Sequence, residues 1–528
     1  MPTLEIDGQS VTVEDGLNLI QAAERLGIEI PHYCYHPGLS IAGNCRMCLV
    51  EIEKAPKLQI ACNTRVADGM VVRTQSDKVK HARAAVLEFL LINHPIDCPI
   101  CDQAGECKLQ DYYMDYDRQE SRFALEDKVH KNKARDIGPL IMLDQERCIL
   151  CTRCTRFLEE VTGTGELGVF ERGDHCAIDL FPDKRLTNAY SGNVADICPV
   201  GALTNKDFRF RARVWYLDHT ASVCTSCATG CNIDIHHRRG EVLRFRPRHN
   251  PDVNQYWMCD EGRLSYKRLQ GEGRLLQPVV RDGQSWAVRN WDDARALLRT
   301  RLADIIAAHG AGAVAGIVSA QATNEEIHLF ARLMREALGA KLATLSWSPA
   351  DATRDDFLID ADKNPNSAGL RALASDATDL EQVLAQARSG AVRGLVLLRT
   401  DLHAGHGAAL LDALGDALEF VAVLDTHFGP TAEIGDLLLP IATFAETDGT
   451  FINRAARVQR VHEAVAPPAQ AARGWQLLSQ LIGDVTGDAV PVDASAVFTE
   501  LAAAHAAFRQ LAYSRLGDAG QPLPAAGS

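Results

Sequence analysis

The chain has 528 residues, of which 46% are hydrophobic and 23% charged, and a formal net charge of -14. That length exceeds one ordinary core and implies about three to five domains, while the acidic balance excludes the basic stripe of a nucleic-acid binder. No apolar run approaches the ~20 residues that span a bilayer, and Met1-Pro2-Thr3-Leu4-Glu5 has neither a signal peptide's basic and apolar regions nor the Arg/Ser-rich look of a mitochondrial presequence. A cytosolic chain, or one held at a membrane through partners, is the expectation.

Residues 1–80 read as a small mixed domain. Thr3-Leu4-Glu5-Ile6 and Val11-Thr12-Val13 flank Asp7-Gly8, a hairpin signal. Leu17, Ile20, Ala23 and Leu26 then recur near helical spacing. A second helix is expected over 81–93, running into a cysteine loop that completes a segment 81–120. Residues 111–137 are highly charged and read as a connector or partner-facing surface. A compact cysteine unit follows over 138–216, and another over 217–273, with a hairpin from Asn232 to Phe245 turning at Arg239-Gly240. From 274 to 486 the chain is Ala/Leu-rich. Val314–Val318, Leu395–Leu398 and Phe420–Leu424 read as buried strands, and Thr323-Asn324-Glu325-Glu326 as a capping box opening a helix. This predicts an open, largely parallel sheet. Residues 487–528 read as an Ala/Pro-rich tail with its last dozen residues frayed.

The 16 cysteines all lie between Cys34 and Cys259. In a reducing compartment such a concentration means metal ligation, not disulfides. They fall into four sets. Cys34-x10-Cys45-x2-Cys48-x13-Cys62 supplies a close pair, a neighbour and a remote thiolate, the usual solution for [2Fe–2S], although plant-type ferredoxins use a tighter first spacing. Gly43 stands just before Asn44-Cys45, where the backbone must approach the cluster. Zinc is the alternative, but it prefers two paired Cys-x2-Cys knuckles and only one is present.

His94-x3-Cys98-x2-Cys101-x5-Cys107 offers three thiolates to a [4Fe–4S] cubane. By spacing alone His94 is either the fourth ligand or a turn residue beside Pro95. As a ligand it would leave the cluster less negative and raise its potential, and its other ring nitrogen would need a hydrogen-bond partner. Cys148-x2-Cys151-x2-Cys154 with remote Cys198-Pro199 is the strongest cubane pattern. Leu158 and Glu159 stand where a two-cluster ferredoxin carries a further Cys-Pro, so this unit holds one cluster. Cys224-x2-Cys227-x3-Cys231-x27-Cys259 is again three local thiolates and one remote; zinc also suits it. Cys176 is left over, and neither it nor His175 is assigned a role.

The order of these sets, their spacings, and the run Arg147-Cys148-Ile149-Leu150-Cys151-Thr152-Arg153-Cys154-Thr155-Arg156-Phe157 resemble the large iron–sulfur subunit family (G-type, 75-kDa) of bacterial NADH–quinone oxidoreductase, respiratory complex I. The resemblance is dense over 1–270. It implies a multidomain α+β and α/β chain: a β-grasp [2Fe–2S] ferredoxin domain, small cubane-binding helical and ferredoxin-like units, and a shortened molybdopterin-oxidoreductase-like α/β domain, clearest at Asp436 to Asn453. It implies one [2Fe–2S] and three [4Fe–4S] clusters, with His94 a ligand, no molybdopterin, and no catalytic site in this chain. Electrons would come from an FMN- and NADH-binding flavoprotein subunit. They would pass the binuclear cluster, the all-cysteine cubane and the His-ligated cubane, and leave to a two-cubane ferredoxin-like subunit near quinone. The Cys224–Cys259 cubane resembles an extra, off-path cluster of bacterial members. The whole would be a peripheral-arm subunit of a proton-translocating NADH dehydrogenase, on the cytoplasmic face of a bacterial plasma (inner) membrane, touching it only through partners.

Two rivals share the N-terminal sets: a molybdopterin-dependent, NAD-linked formate dehydrogenase-type subunit, and the diaphorase-side subunit of an NAD-reducing hydrogenase. Against the first, no cysteine follows Cys259, residues 271–486 are short for a domain enclosing two pterins, and Glu261 stands where pterin enzymes tend to place Lys and would repel an anionic pterin. Against the second, such subunits typically stop before the α/β domain. No Gly-x-Gly-x-x-Gly follows a predicted strand, so no FMN or NAD site is expected.

Overall fold

Asp7 and Gly8 take φ of +48° and +83°, the left-handed pair that joins two twisted strands in a two-residue turn. They connect Thr3–Ile6 to Gln9–Thr12. The computed structural model describes residues 1–117 and 121–524; residues 118–120 of the expected 81–120 segment and 525–528 of the expected tail lie outside the described residues. The chain forms two units, Met1–Leu217 and Asp218–Ser528.

In the first unit Thr3–Ile6 pairs in parallel with Val71–Arg73 and sits inside a five-stranded sheet completed by Leu49–Ile52 and Gln59–Ile60. Helix Leu19–Glu24 covers it, started by a capping box between Asn18 and Gln21. Leu4, Ile6, Leu19, Ile20, Val50 and Val72 form the core. A hairpin strand parallel to a later strand, crossed by a helix, is the β-grasp arrangement. The second helix is longer than expected, Asp77–Leu91, because Ser76 caps it well before the apolar run begins. It buries Arg83 completely; the guanidinium donates to Tyr116 Oη at 3.1 Å and to the Leu49 carbonyl at 3.2 Å.

Part of the expected charged connector is helix. Lys108–Tyr116 buries Leu109 and Tyr112, and Tyr112 donates to Glu29 at 3.0 Å. Beyond it a small three-stranded sheet, in the order Leu203–Asn205, Ile141–Leu143, Arg135–Asp136, carries helices Arg153–Glu160 and Asn193–Ile197.

The second unit opens with an antiparallel sheet of Asp218–Val223, Asn232–Arg238 and Glu241–Pro247, turning at Arg239 and Gly240, both at positive φ. Its main sheet has seven strands. Leu437–Pro440, Phe420–Asp425, Gly394–Leu398, Val314–Ser319 and Lys341–Leu345 run parallel in that order, and Val279–Asp282 and Ser285–Val288 extend it antiparallel at one edge. Strands Val314–Ser319 and Gly394–Leu398 are buried along their whole length, as a sheet covered on both faces requires. One face packs helices Trp291–His309, Asn324–Arg332, Gly474–Thr486 and Ala494–Ala504; the other packs Leu380–Arg388 and Ala408–Ala417. Thr323 and Glu326 form the expected capping box.

The expected tail is folded as far as 524. Asp493 caps helix Ala494–Ala504, which buries Val497, Phe498 and Leu501. Gln521–Pro522 pairs with Arg457–Val461. The apolar spacing at 497, 498 and 501 carried this signal within an alanine-rich background.

Candidate metal centres

Each cysteine set is built by loops held on the elements above, and all 16 cysteines are free. In the first set the thiols fall into two hydrogen-bonded pairs, Cys34 with Cys45 and Cys48 with Cys62. The charges of Cys48, Cys34 and Cys45 all act on Cys62, so the pairs adjoin. Within each pair one thiol is pushed down by its partner's hydrogen bond, Cys34 to about 5, and the partner is pushed up. Cys34, Cys48 and Cys62 are buried. Gly43 turns the loop at φ +63°, a conformation that disfavours any side chain. Two adjoining thiol pairs suit two irons with two terminal ligands each.

In the third set Cys148, Cys151, Cys154 and Cys198 line one apolar pocket with Leu143, Ile149, Ile178 and Val200. Leu150 and Thr152 sit at φ +54° and +60° between the cysteines. Such kinks cost about 1–2 kcal/mol each for a residue with a side chain, and here they bring alternate thiols to one side. Cys198 ends helix Asn193–Ile197 in extended conformation before Pro199. Burial drives all four thiols up, Cys148 to about 12 and Cys151 to about 11. A buried thiol stays protonated until a coordinating metal removes the proton outright, so the donor chemistry fits a metal cluster.

The fourth set, in the second unit, is similar. Cys231 feels Cys224, Cys227 and Cys259, and burial pushes Cys224 to about 11 and Cys259 to about 12. Cys259 caps helix Asp260–Leu264 through its sulfur, which accepts from Gly262 N at 3.3 Å. A Cβ on Gly262 would stand 2.9 Å from Cys224 Sγ and 3.4 Å from Cys259 Sγ, so glycine leaves the cradle open.

The second set is the least closed. Cys101 feels Cys98, and Cys107 feels Cys101, and burial raises all three thiols. His94 is held neutral, pushed down to about 4 by burial, as a metal-ligating imidazole must be. Its Nδ1 has the partner that ligation would call for, but of the opposite kind: it accepts from Ile96 N at 3.1 Å. With Nδ1 accepting, the ring proton sits on Nε2, and a cluster bound through Nε2 would need that proton moved to Nδ1 and the Ile96 bond given up. Ile96 itself sits at φ +50°, an outlier for a β-branched residue.

Among the described residues no group of three or more His, Cys, Asp or Glu side chains is gathered around one point as the ligands of a single ion would be. Cys176 is half-buried and its carbonyl accepts from Lys131.

Sequence reasoning passed over the arginines between the cysteines. Arg147, 5% exposed, holds Asp97 with two bonds of 2.9 and 2.6 Å and lies beside Asp144, placing a cation next to Cys101. Arg153 and Arg156 reach from the third set to the first: Arg156 Nη2 donates to the Cys34 carbonyl at 2.6 Å and the Cys151 carbonyl at 3.3 Å. Their regular placement around Cys-x2-Cys-x2-Cys was the available signal. Asn44 Nδ2 donates to the Leu150 carbonyl at 3.2 Å. The third set meets the second through Lys108 N, which donates to the Pro199 carbonyl at 3.0 Å. There Cys107 feels Cys198, and a Cβ on Gly201 would collide with Cys101 Sγ.

In the second unit a cleft of about 820 Å³ opens at the C-terminal ends of the parallel strands, lined by Ser226, Glu261, Gln321, Lys363, Arg399 and Asp425 among others. Lys363 Nζ pairs with Glu261 at 2.7 Å. The Glu261 carboxylate therefore has a cation beside it in the cleft.

Sets of buried thiols on small folded units are the donor arrangement of an iron–sulfur protein. The 2Fe-2S iron-sulfur cluster binding domain matches residues 1–77, the NADH-ubiquinone oxidoreductase-G iron-sulfur binding region 83–122, and the ferredoxin-like domain of NADH-quinone oxidoreductase subunit 3 138–204. The NDSU1/NuoG-like 4Fe-4S domain matches 217–267, and molybdopterin oxidoreductase 274–382 and 382–484. The G-type subunit of NADH-quinone oxidoreductase from Rickettsia bellii (strain RML369-C) is 46% identical over 305 residues, 58% of this chain and 44% of that protein. The NADH-ubiquinone oxidoreductase 75 kDa subunit of Reclinomonas americana is 42% identical over 371 residues, 69% and 53%. The mitochondrial 78 kDa subunit of Candida albicans is 45% identical over 291 residues, 55% and 40%. A solved NAD+-reducing [NiFe]-hydrogenase in the H2-reduced state aligns at TM-score 0.37 and 29% identity over 40% of this chain and 91% of that one. The chain is a homologue of the G-type and 75-kDa iron–sulfur subunits of NADH–quinone oxidoreductase. It spans about half the length of the curated relatives it matches.

Proposed function

We propose that the chain relays electrons in the peripheral arm of an NADH–quinone oxidoreductase, between an FMN- and NADH-binding flavoprotein subunit and a two-cubane ferredoxin-like subunit near quinone. The observation that carries this reading is the line of contacts through the first unit. Asn44 and Arg156 stitch the first set to the third, and the Lys108–Pro199 bond joins the third to the second.

Iron–sulfur clusters, when bound, supply reversible one-electron chemistry. Cys34, Cys45, Cys48 and Cys62 would hold a [2Fe–2S] cluster at the receiving end. Cys148, Cys151, Cys154 and Cys198 would hold the middle [4Fe–4S] cluster, and His94, Cys98, Cys101 and Cys107 the delivering one. Cys224, Cys227, Cys231 and Cys259 would hold a third cubane, off this line. The apolar walls of the third set, Leu143, Ile178 and Val200, keep water from it, and Arg147 places a positive charge beside the second. The chain itself makes and breaks no substrate bond. No helix among the described residues is long and apolar enough to cross a membrane; in this proposal the subunit is held by its partners on the cytoplasmic face of a bacterial plasma membrane.

The cleft at the strand ends favours a second reading, a molybdopterin-dependent dehydrogenase subunit. Against it, no cysteine follows Cys259 to ligate molybdenum. Metal analysis of anaerobically purified chain decides between them. The relay reading expects about 14 irons, no molybdenum, and reduction by NADH only when the flavoprotein subunit is added. Near-stoichiometric molybdenum, or direct reduction of the isolated chain by NADH, would overturn it.

A further inference from the structure

Arg153 opens helix Arg153–Glu160 between the first and third ligand sets. Its Nη1 donates to the Ile197 carbonyl at 3.1 Å, beside Cys198, and its Nη2 to the Tyr35 carbonyl, beside Cys34. Its Nε is buried and has no hydrogen-bond partner among the described residues. The thiols that act on it are Cys151 and Cys198 of one set and Cys34 and Cys45 of the other. Arg156 adds its bonds to Cys34 and Cys151 and a third to the Ser40 carbonyl. Every hydrogen bond of the two arginines goes to a backbone carbonyl or to the Thr152 hydroxyl. Two guanidinium charges, always protonated in proteins, thus face two thiol sets, and among the described residues no carboxylate is bonded to either.

We propose that Arg153, with Arg156 supporting it, is a positioning residue that sets the reduction potentials of the first and third sites together. The inference rests on the relay reading above. In that step one electron leaves the site of Cys34, Cys45, Cys48 and Cys62 and arrives at the site of Cys148, Cys151, Cys154 and Cys198; one is oxidised, the other reduced, and no proton need move. Reduction adds a negative charge at whichever site holds the electron, and a nearby buried cation favours that state. Because one side chain faces both sets, it raises both levels and preserves the difference between them. The unpartnered Nε–H is the donor left over for a cluster sulfur, and such bonds also raise potentials.

The test is an EPR-monitored redox titration of anaerobically purified full-length chain, with iron counted in every sample. Arg153→Gln removes the charge. Both sites should become harder to reduce by at least about tenfold in their reduction equilibria, about 59 mV for a one-electron couple, while the Cys224–Cys259 site keeps its potential. Arg153→Lys keeps the charge but not the fork of donors, so both sites should shift in the same direction by clearly less than in Arg153→Gln. If Arg153→Gln fails to load iron, Arg156→Gln carries the test, with a smaller shift of both sites in the same direction. Full iron with unmoved potentials in the Gln variants, or equal shifts in Arg153→Gln and Arg153→Lys, overturns the proposal. Wild-type chain without the two signals would instead sink the relay reading beneath it.

Discussion

Gly262→Ala separates a cluster-holding fourth set from four cysteines that merely pack. The added methyl would stand 2.9 Å from Cys224 Sγ, and ordinary contact begins near 3.4 Å. One sulfur must therefore retreat by about half an ångström, whereas a metal site tolerates about 0.2 Å in its ligand distances. Overpacking of this kind costs about 1–3 kcal/mol. Gly262 lies inside helix Asp260–Leu264, however, and alanine recovers about 1 kcal/mol there. The iron-free fold should thus change by no more than about 2 kcal/mol, while iron falls from about 14 to about 10 per chain. Iron analysis read beside a thermal melt separates the two effects. A variant with full iron and an unaltered cluster spectrum would refute the reasoning.

Cys154→Ala should remove one cubane and stop electron transfer to quinone in the assembled complex, whereas Cys227→Ala should spare most of it; the reverse pattern in quinone-reductase assays would contradict the assigned line. In the iron-free chain, Cys148 and Cys259 are pushed up to about 12 from 9.0, so the folded state holds their protons more tightly than the unfolded state. Their contribution to stability is complete below about pH 9 and is lost as pH rises toward 12. Melting temperature should fall between pH 8 and pH 10.5, and less steeply in iron-loaded chain, whose thiolates carry no proton; equal slopes would count against ligation. Burial raises Glu325 to about 7 although it accepts from Thr450 N and Oγ1 at 2.8 Å each. Its folded pKa exceeds the unfolded one, so its contribution is complete below about pH 4.5 and lost as pH rises through 7. Glu325→Gln should therefore be more stable than wild type at pH 8, by roughly 1–3 kcal/mol, and chemical denaturation showing it less stable would contradict this account.

The grouping of the cysteines was legible because each pattern is local: Cys-x2-Cys-x2-Cys needs only a loop, and Cys198-Pro199 announces its own extended backbone. The hairpin turns at Asp7-Gly8 and Arg239-Gly240 and the capping box at Thr323 were legible for the same reason. What contacts across the chain decide was not. Arg153 shows no sign in its own neighbourhood that it reaches Tyr35, and Lys363 none that it meets Glu261. The early start of helix Asp77–Leu91 depended on Ser76, a cap lying outside the apolar window. The folded stretch after 486 was masked by alanine, whose burial depends on what covers it. His94 shows the limit from the other side, since spacing suggests a ligand but cannot say which ring nitrogen is free.

Residues 198–201 belong to two sites at once. Cys198 closes the third set, Pro199 accepts the bond that starts the helix after Cys107, and Gly201 lies against Cys101. A displacement of that short span is transmitted to both neighbours, so the two sites share one mechanical support. A substitution that shifted Cys198 or Gly201 would accordingly be felt at both cysteine sets.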